Sequence, residues 1–257
     1  MKWSELAKGA FAFGLNPKRF GLMYLIDAAF AVFLISVFIN FFWELQAGAI
    51  ASYGSFLLPF FMCIFVAYGI IKLYVEGAFI VNAKQKIAFL EHENTKKSFM
   101  ASKKGIVELV IASVIISAAG FLAGFLPDSI AFIAMLLVTL FFFFTYQEIV
   151  IKGGTVKSSL TKSYKIFAKY PFDVILLLAL IMVVSVSLIM IFSIPLVLLL
   201  SNIFYGVDPA GFIDIFNVLT TANIIRIIAA VLFMVIPVSY TRVFSIYAKT
   251  YFFMKKR

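Results

Sequence analysis

Twenty of the 22 lysines and arginines of this chain fall in four short segments, separated by long apolar stretches nearly free of positive charge. The segments are residues 1–19 (Lys2, Lys8, Lys18, Arg19), 84–104 (Lys84, Lys86, Lys96, Lys97, Lys103, Lys104), 152–169 (Lys152, Lys157, Lys162, Lys165, Lys169) and 242–257 (Arg242, Lys249, Lys255, Lys256, Arg257), with Lys72 and Arg226 outside them. Cytoplasmic loops retain Lys and Arg while translocated loops lack them. The pattern therefore predicts six spans of a cell membrane with both termini in the cytoplasm. The fold class read from it is an all-α integral membrane protein with one membrane domain over residues 1–257.

Composition excludes the other classes. Hydrophobic residues make up 64% of the chain and charged ones 13%, against about a quarter charged in a soluble domain. The net charge of +10 does not point to nucleic acid, because the basic residues flank apolar spans instead of forming a polar face. Anionic lipid head groups at the cytoplasmic face are the partner such segments attract. One cysteine, Cys63, and one histidine, His92, leave no intrachain disulfide and no multi-histidine or multi-cysteine metal site. No cofactor is expected.

A span needs roughly 20 apolar residues, and the candidates are 20–43, 56–82, 106–126, 129–151, 172–195 and 222–248. Ala47-Gly48-Ala49 faintly resembles a signal cleavage site, but the apolar run before it is far longer than a signal peptide's. Pro59, Pro195 and Pro237 read as helix bends. Gly120 and Gly124 form a GxxxG, read as close helix packing.

A unit recurs three times. Leu6, Lys8, Ala10, Phe13 and Pro17 match Leu160, Lys162, Tyr164, Phe167 and Pro171 at a constant offset, and the middle copy aligns Lys97-Ser98-Phe99 with Lys162-Ser163-Tyr164. The apolar members recur at i, i+4 and i+7, one face of a short helix suited to lying in the interface. Each proline forces the residue before it, Asn16 or Tyr170, out of helical geometry and makes an elbow into the next span. Tyr74-Val75-Glu76, Tyr146-Gln147-Glu148 and Tyr240-Thr241-Arg242 mark the inner ends of the return spans. The expected plan is three parallel repeats of interfacial helix plus two spans, over about 4–83, 95–154 and 157–257, closing into a ring. Glu91-His92-Glu93, an insertion in the second basic segment, reads as a solvated loop.

Glu148-Ile149-Val150 with Gly153-Gly154, Lys162-Ser163-Tyr164 and Lys169-Tyr170-Pro171 carry a resemblance. The chain resembles the membrane-domain family found fused to glycerophosphodiester phosphodiesterases, together with related stand-alone six-span prokaryotic proteins of poorly known function. The resemblance implies no catalytic residues, since the phosphodiesterase chemistry of those fusions belongs to a separate soluble domain. The outline of mitochondrial carriers does not fit: Pro171-Phe172-Asp173 stands at the near end of its span and is followed by Val174-Ile175-Leu176.

A charge inside a bilayer costs about 2.5–3.5 kcal/mol on insertion scales, which makes each one a candidate site. Asp27, Lys72 and Glu76 fall at similar depth in the first two spans, Lys72 and Glu76 one turn apart. They read either as a lock on a helical hairpin or as a relay or lipid grip. At the span ends Arg19, Glu108, Glu148, Asp173 and Arg242 form a second set, read as a structural clamp in which Arg242 pairs with Glu148 or Glu108 and Arg19 with Glu76 or Glu148. Without an HExxH, GxSxG or Walker loop, the chain is read as no enzyme. A scaffold, assembly or lipid-associated role leads; the alternative is a small-solute or ion transporter using Asp27, Lys72 and Glu76.

Overall fold

The computed structural model describes residues 2–46, 50–88, 95–203 and 221–256. Among them every regular element is an α-helix: α1 (Trp3–Gly14), α2 (Pro17–Gln46), α3 (Ile50–Ile87), α4 (Thr95–Lys104), α5 (Ile106–Ala123), α6 (Asp128–Phe141), α7 (Thr145–Lys152), α8 (Val156–Lys169), α9 (Pro171–Ile203) and α10 (Thr221–Lys256). Six helical stretches are long and apolar enough to cross a membrane, with α6 and α7 together supplying the fourth. Ala47-Gly48-Ala49 and Glu91-His92-Glu93 lie outside the described residues.

Pro17 and Pro171 each stand at the first position of a spanning helix, where the missing N–H is one of the helix's orphans in any case. Asn16 accepts the Lys18 N–H at 3.2 Å through its side chain, capping α2. Tyr170 leaves helical geometry at φ −133° and ψ 53°, the elbow that the following proline requires. Helices α3, α9 and α10 continue through Pro59, Pro195 and Pro237.

The return helices α3, α7 and α10 pack on one another, and the outgoing helices lie outside them: α2 against α3 and α10, α5 against α3 and α7, α9 against α10. The short helices sit across their basic ends, α1 on α10, α4 on α3, and α8 on α6 and α7. One core results. It joins Leu6 and Phe13 of α1 to Phe79 and Ile80 of α3, Phe143 and Phe144, Val174 and Leu177 of α9, and Phe244 and Phe252 of α10. All of these lie at the basic end of the bundle. Toward the opposite end the helices expose their side chains: Phe125 is 73% and Phe132 70% accessible, as expected of surfaces whose solvent is lipid. The buried face of α1, Leu6, Ala10 and Phe13, is the one its periodicity indicates. In α8 the buried residues are instead Ser159 and Ser163, while Tyr164 stays exposed.

The fourth span is not the continuous helix expected over 129–151. It breaks at Phe142–Phe144, and α8 repairs the break: Ser163 Oγ donates to the Phe141 carbonyl at 2.8 Å and accepts the Phe144 N–H at 3.0 Å. Backbone groups freed inside an apolar bundle must find such partners. Ser102 of α4 does similar work, donating to the Tyr74 carbonyl at 2.7 Å. That approach is possible because residue 77 is glycine; a Cβ there would collide with Ser102 Oγ. The GxxxG pair behaves differently, since a Cβ at Gly120 would meet nothing within 4 Å. Gly120 therefore seats no neighbouring helix.

Two outcomes follow for stability, both readable by thermal or denaturant unfolding in detergent. Ser163→Ala leaves the Phe141 carbonyl and Phe144 N–H without their partner and should lower stability by about 1–3 kcal/mol. Gly77→Ala should cost about 1–3 kcal/mol by overpacking, and much of that loss should return in the Gly77→Ala/Ser102→Ala double variant; an unchanged loss would mean that the Ser102 contact does not set the spacing of α3 and α4.

Candidate functional site

The sequence places one acid, Asp27, in the apolar middle of α2, and the fold surrounds it with donors from two other helices. Arg242 Nη1 of α10 reaches its two oxygens at 2.7 and 3.0 Å, Tyr68 Oη of α3 donates at 2.7 Å, and Ser239 Oγ of α10 donates at 2.9 Å. Asp27 is 7% exposed. A carboxylate in so apolar a bundle is tolerable only when paired and hydrogen-bonded, and these contacts meet both conditions. The ring of Tyr68 is held in place by stacking on Phe30, 3.8 Å between centroids at 6°.

Arg242 also turns its Nε toward Glu76 of α3, 3.5 Å away. It therefore bridges acids of two helices. Of the three residues expected to cluster, Asp27 and Glu76 come together through this arginine. Lys72 lies beside them, its ammonium 5.3 Å from the Tyr68 ring centroid, in an orientation favourable for a cation over a π face.

The span-end set is arranged otherwise than expected. Arg242 does not pair with Glu148 or Glu108. Glu148, 2% exposed, is engaged by Lys152 one turn along α7 at 3.1 Å, and Glu108 lines a separate cavity with Lys97 and Lys104 between α4, α5 and α7. The expected partners of Arg19, Glu76 and Glu148, are thus held by Arg242 and Lys152. Arg19 itself stacks on Phe13, its guanidinium carbon 4.0 Å from the ring centroid, and so fixes α1 to α2. Asp173 pairs with Lys256 at 2.7 Å, tying the start of α9 to the end of α10. Outside the spans, Lys2 hydrogen-bonds Glu5 and holds its carboxyl below the usual range, while Tyr251 Oη donates to the same carboxylate at 3.3 Å.

Two spaces flank the arginine. On the basic side lies a cavity of about 350 Å³ between α3, α7, α9 and α10, with Glu76, Gln147, Ser185, Arg242, Ser245 and Lys249 among its lining. On the other side is a groove of about 250 Å³ lined by Asp27, Tyr68, Val231, Met234, Val235, Val238 and Arg242. Val238 and Arg242 belong to both walls. Tyr68, Gln147, Ser239, Ser245 and Lys249 were not singled out from sequence. A signal existed: Ser239, Arg242, Ser245 and Lys249 fall at steps of three, three and four, one face of a helix. Counting Lys249 with the basic segment beyond the expected span 222–248 hid it, because α10 in fact runs to Lys256 and turns Lys249 inward as well as Arg242. Among the described residues no group of three or more potential ligands is placed to hold a metal ion.

The Arg242–Asp27 contact should dominate the energetics of the cluster. Arg242→Ala and Asp27→Ala are each expected to cost about 3–5 kcal/mol, as when one partner of a buried pair is removed. A double-mutant cycle by reversible unfolding in detergent should give a coupling above about 1 kcal/mol for Arg242 with Asp27, and additivity within about 0.5 kcal/mol for Arg242 with Glu148. The reverse order of couplings would refute this arrangement.

Compared with models of protein families, with curated proteins and with solved structures, the chain matches none of them.

Proposed function

We propose that the chain is a non-catalytic, lipid-associated membrane module built as three parallel repeats, its termini and short helices at the cytoplasmic face. One observation carries the reading: three short helices, two of them (α4 and α8) rich in lysine, lie across the inner ends of the return spans, while the opposite halves of the spans present apolar side chains. Such a surface has chemistry for anionic head groups on one side and acyl chains on the other.

The packing order supports the repeat. Each short helix rests on the return span of the unit before it: α4 on α3, α8 on α6 and α7, and α1 on α10, so that the first unit closes on the third. Gly9, Ser98 and Ser163 occupy matching positions and each touches that neighbour, Gly9 against Tyr247, Ser98 on Asn82 and Ser163 on the Phe141 carbonyl. Of these, Ser163 belongs to the Lys162-Ser163-Tyr164 motif that carries the resemblance to the phosphodiesterase-fused membrane domains. A lipid-associated role accounts for the interior better than transport does. Val231, Met234, Val235 and Val238 make the groove beyond Arg242 apolar, which suits a hydrocarbon chain and not a hydrated solute.

Native mass spectrometry of the purified protein should find anionic lipids enriched over their share of the membrane. Lys162→Glu/Lys165→Glu, at exposed positions of α8, should reduce that enrichment severalfold. In a Cys63→Ala background, a cysteine at Asp128 should react with an impermeant thiol reagent added outside cells and one at Thr155 should not. No enrichment, or inverted labelling, would remove the reading.

A further inference from the structure

The cavity on the basic side of Arg242 holds polar groups that the protein leaves without partners. Lys249 is a cation inside the bundle with no carboxylate within 4 Å among the described residues; its ammonium rests 4.3 Å from the Phe143 ring centroid. Among the described residues no hydrogen bond engages the hydroxyls of Ser245 or Ser185 in the same wall. The Gln147 amide oxygen is buried there without a donor, in a residue only 3% exposed. A native interior seldom leaves an unpaired cation and an unsatisfied amide in one wall, so the set reads as one half of an interaction.

The charge count says what completes it. Around the cavity and the adjoining cluster, Arg242, Lys249 and the neighbouring Lys72, which lies beside the Tyr68 ring and not in the cavity wall, stand against two carboxylates, Asp27 and Glu76, while Glu148 is engaged by Lys152. One formal positive charge is in surplus, which calls for a single negative charge. Lys249 and Ser245 supply donors for an oxyanion, while Gln147 and Glu76 supply acceptors for a hydroxyl beside it. The groove then says what is attached. From Arg242 to Val231, eleven residues of α10, it extends about 17 Å at 1.5 Å per residue, with aliphatic walls.

Resting on the lipid-associated reading above, we propose that this cavity is a specific site for one anionic, hydroxyl-bearing phospholipid head group. Its phosphodiester oxygens sit between Lys249, Ser245 and Arg242, its hydroxyl meets Gln147, and an acyl chain lies in the groove along Val238, Val235, Met234 and Val231. The polarity of the site is that of an inner-leaflet lipid, with the head toward the basic end of the bundle and the chain toward its middle. Arg242 is the shared wall. It contacts the head group on one side and remains anchored to Asp27 on the other, so occupancy and packing of α10 against α2 are coupled.

The test is calorimetric titration of the full chain in detergent with short-chain phosphatidylglycerol, phosphatidylcholine and glycerol phosphate. Phosphatidylglycerol should saturate at one lipid per chain and bind at least about tenfold tighter than the other two; a tenfold ratio corresponds to about 1.4 kcal/mol. Lys249→Met should weaken it about tenfold or more. Ser245→Ala and Gln147→Leu, which leave the charge count intact, should weaken it severalfold and serve if Lys249→Met does not fold. Lys162→Glu/Lys165→Glu should leave this affinity unchanged. If phosphatidylglycerol binding ignores all three cavity variants but falls with the α8 variant, the site is overturned while the lipid-associated reading stands. Equal binding of glycerol phosphate overturns the assignment to a lipid, and equal binding of phosphatidylcholine overturns the anionic selectivity. Absence of binding by every probe overturns the site outright.

Discussion

The buried Asp27 carboxylate is the constraint around which the bundle is arranged. Alone in an apolar helix it would cost several kcal/mol to insert; here Tyr68, Ser239 and Arg242 give it donors from α3 and α10. Those contacts are directional, unlike the apolar packing around them. In lipid, contact between hydrocarbon surfaces does little to choose one helix register over another. A carboxylate that must meet an arginine and two hydroxyls admits one register of α10 against α2 and α3, and Glu76 on the far side of the arginine fixes its rotation.

Backbone satisfaction is the second organising demand. The fourth span gives up its regular ladder at Phe142–Phe144, and the groups it frees are met by Ser163 from a helix outside the span. The short helices are therefore part of the fold. Their docking brings α1, α4 and α8 into contact with return spans far away or adjacent in sequence, and Phe144 stacks on Phe252 at 5.3 Å beside the break. The densest packing thus gathers at the basic end, leaving apolar side chains exposed toward the other ends of the helices.

That division has a functional consequence. A densely packed basic end can hold polar groups at fixed spacing, as the cavity bounded by Glu76, Gln147, Ser245 and Lys249 does, while the opposite halves of the helices expose apolar side chains. Arg242 couples the two regions because it lies in the wall of both the polar cavity and the apolar groove.

Much of this was legible in the chain. Six helices long and apolar enough to cross a membrane were readable from the apolar runs between the basic segments, since apolar length depends on composition alone. The elbows at Pro17 and Pro171 follow from steric rules local to the proline, and the buried face of α1 from its periodicity. Asp27 and Glu76 were identifiable because any charge in an apolar run is conspicuous. Partners were not: which base answers Asp27 depends on how α10 returns past α2, across more than 200 residues of chain, and no local rule links them. The inward turn of Lys249, the break before Thr145 and the rotation of α8 onto Ser159 and Ser163 were likewise decided by packing. Sequence specified how many stretches are long and apolar enough to cross a membrane, because that is a property of a segment in its solvent. Tertiary structure alone specified which polar groups meet and which are left facing a cavity, because that is a property of distances between segments.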